Sequence, residues 1–301
     1  MLAYLVFRFI DTIEDSKASK DQKKYFFVEF INILNANSFN MESAADYQRK
    51  FIAAIDFTYE KPLIDNFVAM VKLYFNTPRP DRKSLLKYAT LMAEGMYRFL
   101  STPIETFSDQ NEYCYYVAGV VAQFFNELFF NNGRLSHEDC VELMPLARDY
   151  GLALQKVNLL MDIAHDIFQN RKYWPTRILE KHGFRQYESL IEGEKLQKAM
   201  AVLHEMTEDA FYFLKRGLQY VKRMGKKQLK IRVFCLLPLF TALEHLRGSA
   251  GNPNVFIKGK KFKLAKPHIL TILLKSYLFG SINMYLSYWF GRISKHIECR
   301  P

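Results

Sequence analysis

Four aspartates carry the clearest chemical signal in the sequence. Asp162 and Asp166 lie one helical turn apart in the stretch YGLALQKVNLLMDIAHDIFQNRKYWP (residues 150–175), and Gln155 and Asn158 precede them at helical spacing. Positions three and four apart stack on one helix face, so these four side chains make a single polar stripe. Leu154, Val157, Leu159, Leu160, Ile163 and Ile167 make the rest of that helix apolar. A second pair, Asp11 and Asp15, sits in YLVFRFIDTIED, with Glu14 beside it, Arg8 one turn ahead and an apolar background again. Carboxylates one turn apart in an apolar helix are costly unless something neutralises them. A hard divalent cation such as Mg2+ suits that role and shares its coordination sphere with substrate phosphates. Two facing carboxylate clusters with metal between them would hold a diphosphate, and metal plus Arg would stabilise it as a leaving group. One D-x3-D pair alone is as well explained by a solvated helix face; the second cluster is what favours a metal.

The elements that must position these groups are helical. Half of the 301 residues are hydrophobic and 15% aromatic, Gly and Pro are few, and helical spacing recurs almost throughout without bounded alternating runs. The expected fold is all-α, in a single domain over residues 1–301 with a core large enough to enclose a cavity. Helices are expected over the first 15 residues, 25–36, 43–55, 61–75, 84–100, 109–131, from Ser136 (capped with Asp139) through the central stretch, 195–224, 226–246 and 267–297. Residues 16–24 and 76–81 read as loops, with Ser84 as a helix N-cap. Gly95, Ala118 and Gly119 are small enough to let helices approach closely, and Pro238 should kink its helix. Residues 252–266 (NPNVFIKGKKFKLAK) read as a basic loop or short hairpin, or simply as a solvated turn. Tyr113 and Tyr116 share a helix face, where core tyrosines with one wet end are the plain reading.

Lys plus Arg number 42 against 31 Asp plus Glu, a net charge of +11. That balance favours anionic partners: phosphorylated substrates, lipid head groups or nucleic acid. No tight Lys/Arg run with interleaved exposed aromatics occurs, which argues against nucleic acid. Cys114, Cys140, Cys235 and Cys299 are widely spaced, with no C-x-x-C and no His placed to complete a zinc site, so free thiols are expected. MLAYLVFRF lacks the features of a signal peptide. The uncharged run 276–291 is shorter than a membrane span needs. It should pack on the bundle, with peripheral membrane contact left open, and a cytoplasmic location is the expectation.

With these residues in view, the chain resembles the squalene/phytoene synthase family, the head-to-head trans-isoprenyl diphosphate synthases, and within it the squalene synthases most. Four blocks carry the likeness in family order: RFIDTIED; GMYRFL with YCYYVAG; GLALQKVNLLMDIAHDIFQNRKYWP; and FCLLPLFTALEHL followed by VFIKGKKFKLAK. The resemblance implies the isoprenoid synthase fold, a helical bundle around a central cavity. It implies that Asp11, Asp15, Asp162 and Asp166 bind Mg2+, supported by Glu14 and Asn158. It assigns Arg8 and Arg171 to diphosphate, Gln155, Asn158 and Tyr116 to the substrate mouth, and Tyr113 to the position of the family's catalytic tyrosine. By a gapped match, Lys261 and Lys263 fall where the family binds the phosphates of NADPH. The implied reaction joins two farnesyl diphosphates through presqualene diphosphate and reduces the product to squalene. The alternatives are a dehydrosqualene or phytoene synthase that omits the reduction, and a non-catalytic family member.

Three departures from the family pattern accompany the likeness. The domain is expected to lack the usual N-terminal helix. Met161 stands where squalene synthases usually carry an Arg. Ser16 and His165 replace acidic residues common beside the two motifs, and His165 reads as a helix-face neighbour rather than a ligand.

Overall fold

The computed structural model describes residues 1–55 and 60–298, so Cys299 lies outside the described residues. Among these residues there are helices, turns and no strand. Contacts group the chain into two compact units, Met1–Thr102 and Pro103–Pro301.

The first unit holds α1 (Leu2–Asp15), α2 (Lys20–Asn35), α3 (Met41–Ala54), α4 (Lys61–Asp65), α5 (Phe67–Phe75) and α6 (Arg79–Phe99). Its core is aromatic. The Phe9 ring of α1 lies 4.9 Å from Phe30, 5.1 Å from Phe51 and 4.7 Å from Phe67, which come from α2, α3 and α5. Offset and tilted rings at these separations add to the apolar burial itself. Tyr47 fills the same cluster and satisfies its hydroxyl by donating to the Phe26 carbonyl at 3.0 Å. This packing fixes the roll of α1. With Val6, Phe9, Ile10 and Ile13 inside, Tyr4, Arg8, Asp11 and Asp15 share the outer stripe.

Several boundaries differ from expectation. The loop expected at 16–24 is short, because Ser19 and Gln22 form a reciprocal capping box that starts α2 at Lys20. α6 starts at Arg79 with Pro80 in its first turn, where a missing N–H is harmless. Ser84 is therefore a buried residue inside α6 rather than its cap. Asn66 separates α4 from α5 within the helix expected over 61–75.

The second unit holds α7 (Phe107–Cys114), a π-helical turn (Tyr115–Gly119), α8 (Val120–Asn131), α9 (His137–Met161), α10 (Ile163–Phe168), α11 (Thr176–Lys181), α12 (Leu196–Arg223), α13 (Leu229–Ser249), α14 (Lys266–Phe279) and α15 (Asn283–Glu298). Ser136 caps α9 by accepting from the Asp139 N–H, as expected. α9 is the hub, packed on α8, α12, α13 and the π-helical turn. It comes closest at Gly151, where an added Cβ would stand 2.4 Å from the Ala118 carbonyl oxygen and 2.7 Å from the Gly119 Cα. Pro238 lies inside α13 without ending it. The helix expected over 267–297 is two helices, joined through Gly280–Ile282. Arg232, fully buried, ties that joint to the end of α12: it donates to the carbonyls of Gly280 and Met224, both at 2.7 Å, and to Asn283 Oδ1 at 2.5 Å. A guanidinium presents several donors in a rigid fork, which suits it to bridging helix ends whose last carbonyls have no partner within the helix.

Gly151→Ala should destabilise the chain by about 1–3 kcal/mol, because the added methyl meets backbone that cannot rotate away. Urea denaturation followed by circular dichroism measures this; an unchanged midpoint would show that the approach of α9 to the π-helical turn is looser than the geometry states.

Candidate functional site

The break between α9 and α10 falls on Asp162, whose φ of −98° and ψ of 4° leave the helical region. The hydrogen-bond ladder nevertheless runs through it: the Asp162 N–H donates to the Asn158 carbonyl, and the Asp166 N–H to the Asp162 carbonyl, both at 2.9 Å. The polar stripe therefore survives the break. Gln155 is half-buried, Asn158 exposed, Asp162 half-buried and Asp166 buried.

α10 ends in a paired-bond cap. The Arg171 N–H donates to the Asp166 carbonyl at 2.8 Å and the Asn170 N–H to Ile167 at 3.0 Å, with Asn170 at a φ of 56°. This is the left-handed closure that Asn tolerates better than most non-glycine residues, and it returns the chain towards Asp166 at Arg171. Trp174, wholly buried, then locks the segment. Its backbone N–H donates to Tyr187 Oη at 2.5 Å, its Nε1 donates to the Leu159 carbonyl at 3.1 Å, and its ring lies 6.2 Å from Phe256.

Phe256 leads into the basic segment, which is irregular rather than a hairpin. Phe262 turns inward against Gly248 of α13, where any side chain would collide with its ring. Lys261 and Lys263, on either side of Phe262, line a cavity beside α10. Lys258 lies 4.4 Å from the centre of the Phe168 ring, a cation–π contact that ties the segment to α10.

The result is a cavity of about 390 Å³ whose walls include Asp162, Asp166, Arg171, Lys261, Lys263 and Met161. Lys261 Nζ donates to Asp162 Oδ1 at 2.5 Å. The charge that the sequence required beside Asp162 is thus present as an ammonium group, 99 residues away in the chain. A cation seated on this carboxylate is what a metal site of this donor type would hold, so the residues fit a hard divalent ion. Arg171 and Lys263 supply further positive charge for an anion. His165, exposed, also lines the cavity. Gln155, Asn158 and Tyr116 are not among its lining residues.

In the first unit, Arg8 lies 3.5 Å from Asp11 Oδ2 and 2.6 Å from Glu60 Oε1. Asp11 is half-buried, Glu14 half-buried and Asp15 exposed. Burial raises the Asp11 carboxyl to about 7; Arg8 pulls it back down and Asp15 pushes it further up. The Glu14 carbonyl accepts from Lys23 Nζ at 2.5 Å. Among the described residues no group of three or more His, Cys, Asp and Glu side chains is arranged to hold a metal. A pair of carboxylates leaves the remaining positions of a Mg2+ ion to water and substrate oxygen, which is how this ion is commonly held.

Tyr113 is buried in α7, its ring stacked on Tyr173 at 4.8 Å. A support that sequence reasoning missed lies behind it. Lys156, buried in α9, donates to Gln110 Oε1 at 2.9 Å and pairs with Asp209 of α12. Gln110 in turn donates to the Tyr173 carbonyl at 2.8 Å. Burial raises the Asp209 carboxyl above its ordinary value, and Lys156 opposes that rise. The only sequence signal was a lysine standing among apolar neighbours in α9. The three described cysteines, Cys114, Cys140 and Cys235, are buried.

Two outcomes are expected here. Asp11 holds in the folded chain a proton that the unfolded chain releases near pH 4, so its contribution is present below about pH 4 and lost as pH rises through 7. The Asp11→Asn variant should lose less stability than the parent between about pH 4 and pH 8; parallel pH profiles of the unfolding midpoint would contradict the shift. Lys156→Met leaves the Asp209 carboxylate without its buried partner and should cost about 3–5 kcal/mol. Adding Asp209→Leu should recover part of that loss in a double-mutant cycle, whereas simple additivity would mean the pair is not coupled.

Comparisons with known proteins agree with this geometry. The family model described as squalene/phytoene synthase matches residues 1–266. The squalene synthase of Schizosaccharomyces pombe is 27% identical over 284 residues, covering 92% of this chain and 58% of that protein. Squalene synthase 10 of Panax ginseng is 28% identical over 257 residues, covering 84% of this chain and 57% of that protein. The chain thus spans somewhat under three-fifths of the length of these two relatives. Among solved structures, TcSQS in complex with the ligand E5700 is similar in fold, with a TM-score of 0.86 at 22% identity, covering 100% of this chain and 82% of that one. A dehydrosqualene synthase in complex with ligand has a TM-score of 0.58 at 15% identity, covering 92% of this chain and 86% of that one. With an all-α isoprenoid synthase fold and a family match over its first 266 residues, the chain belongs to the squalene/phytoene synthase family.

Proposed function

We propose that the protein is a Mg2+-dependent squalene synthase, joining two farnesyl diphosphates head to head through presqualene diphosphate and reducing the product with NADPH. The observation that carries this reading is the cavity of the second unit, where Asp162 and Asp166 share walls with Arg171, Lys261 and Lys263. Carboxylates for a metal and cations for phosphate are the complement that diphosphate departure needs.

Mg2+ held in the second unit by Asp162 and Asp166, with Asn158 in support, would supply charge to the departing diphosphate; in the first unit Asp11 and Asp15, with Glu14, would be the residues to hold Mg2+. Arg171 and Arg8 would contact the diphosphate oxygens. As the allylic carbon–oxygen bond breaks, its electron pair leaves with diphosphate and a carbocation remains. Tyr113 would sit beside that centre, its ring held by Tyr173 and, through Gln110, by Lys156. Aromatic faces stabilise a cation without capturing it, and an apolar surround keeps water away. The second substrate's double bond supplies the electrons of the new carbon–carbon bond, and loss of a proton closes the cyclopropane. Lys261 and Lys263 would hold the phosphates of NADPH for the later hydride delivery, which requires Lys261 to leave Asp162 as the metal arrives.

One observation favours a second reading. Met161 lines the same cavity as Lys261 and Lys263, so an apolar side chain occupies a wall where the family usually places an Arg. That loss of positive charge weighs on the reductive step and favours dehydrosqualene as the product.

Incubation with farnesyl diphosphate and Mg2+, with and without NADPH, tests both. Squalene formed only with NADPH is the expected result; dehydrosqualene in both conditions would establish the second reading, and absence of any condensation product would overturn the two together. Asp162→Asn should lower turnover by about 10²–10³-fold with the helical circular dichroism unchanged; near-normal turnover would remove the metal from Asp162.

A further inference from the structure

α14 exposes an apolar face to solvent. Ile272 and Ser276 turn inward against α13. Leu270, Leu273, Leu274, Tyr277 and Leu278 recur at spacings of three and four, which places them on one outward stripe. Leu270 is 65% exposed, Leu274 56%, Tyr277 64% and Leu278 57%. Ile282 and Met284, just beyond the helix, extend the exposed apolar surface. A contiguous exposed apolar patch of this kind marks a surface for association.

The charges around the stripe decide what associates. Between Glu244 and Glu298 the sequence has no Asp or Glu and nine Lys and Arg. Lys258, Lys260, Lys263 and Lys266 precede the stripe and are exposed. At its other end the Lys226 carbonyl accepts from Ser281 Oγ at 3.2 Å, which brings exposed Lys226 and Lys227 beside the end of α14. Both ends of the apolar stripe are therefore basic. In a symmetric dimer the same patch would meet itself, and basic ends would oppose basic ends in either orientation of the helices. An anionic bilayer satisfies both features: leucines enter the acyl boundary while lysines reach the phosphates. At 14 residues α14 is about 21 Å long, too short to cross the roughly 30 Å hydrocarbon layer.

We propose that the outward face of α14 is a membrane-surface docking site that lies in the plane of an anionic phospholipid bilayer. The proposal stands on this surface alone and is independent of the catalytic reading.

Vesicle flotation of the full chain tests it, with phosphatidylcholine vesicles compared with vesicles containing about one-third phosphatidylglycerol. The chain should float with the anionic vesicles and bind more weakly as NaCl is raised. The variant Leu270→Ser/Leu274→Ser/Leu278→Ser should partition about tenfold less or weaker still, with unchanged circular dichroism and thermal midpoint. A Leu274→Trp variant gives a second readout that does not require loss of binding. Trp174 and Trp289 are buried, so new fluorescence quenched by brominated acyl chains would report Leu274 entering the bilayer. No flotation with either vesicle, equal flotation of parent and triple variant, or an unquenched Trp at 274 would each overturn the proposal. So would self-association that the serine substitutions abolish without vesicle binding, which would assign the face to a second copy.

Discussion

A carboxylate embedded in an apolar helix must find positive charge, and in the second unit that charge is the ammonium of Lys261 on Asp162. The requirement organises much of the surrounding structure. To bring residue 261 to residue 162, the chain packs Phe262 into the gap left by Gly248, sets Lys258 over Phe168 and anchors the preceding turn through Phe256 against Trp174. The pair is partly open to solvent, so its strength falls short of what charges at this separation would have in a dry interior. That weakness suits a group that can be displaced. A divalent ion carries twice the charge of an ammonium and accepts several oxygen ligands, so under the proposed function it would take the place of Lys261 on Asp162.

Rigid parts and exchangeable parts are thus separated along one short stretch of chain. Asn170 and the paired bonds that end α10 fix the backbone at Arg171, and Trp174 is buried with both of its N–H groups bonded. Lys261 and Lys263, by contrast, reach the cavity as long side chains from an irregular segment. Preorganised backbone with adaptable cations is a sound arrangement for binding a polyanion, because the costly ordering is done during folding. The same division holds in the first unit. There the aromatic cluster around Phe9 sets the helix, and the Arg8 guanidinium reaches both Asp11 and Glu60 from it.

The sequence made the fold class and the chemically active stripe legible because both rest on local periodicity. Asp162 and Asp166 belong to a run whose apolar spacing could only be helical, and the Ser136–Asp139 cap was readable for the same reason. What periodicity cannot show is where a helix stops for tertiary reasons. Asn66, Asp162 and the Gly280–Ile282 joint interrupt patterns that continue through them. The joint is held by Arg232, whose carbonyl partners at Gly280 and Met224 cannot be inferred from residue types. Ser84 was misread because Pro80 suggested a loop, whereas Pro in a first turn opens a helix. Lys156 was invisible for a different reason: its partners, Gln110 and Asp209, are 46 and 53 residues away. The basic loop was legible as charge but not as structure; its cavity-facing lysines depend on a glycine in another helix.

The chain's net charge of +11 is unevenly placed, and that unevenness bears on how the parts cooperate. The acid-free segment between Glu244 and Glu298 supplies nine positive charges. One of them sits on Asp162, another pairs with Glu244 through Arg247 at 2.6 Å, and others flank the apolar face of α14. A single stretch therefore presents cations to the cavity beside Asp162 and to the apolar outer face of α14. Because long-range attraction depends on summed charge and decays over a Debye length of about 10 Å in ordinary salt, Lys261 and Lys263 at the cavity and Lys258 and Lys266 beside α14 contribute to one positive field, which would act on a proposed anionic substrate and on a proposed anionic surface alike. Raising the ionic strength should weaken the attraction of anions to both places together.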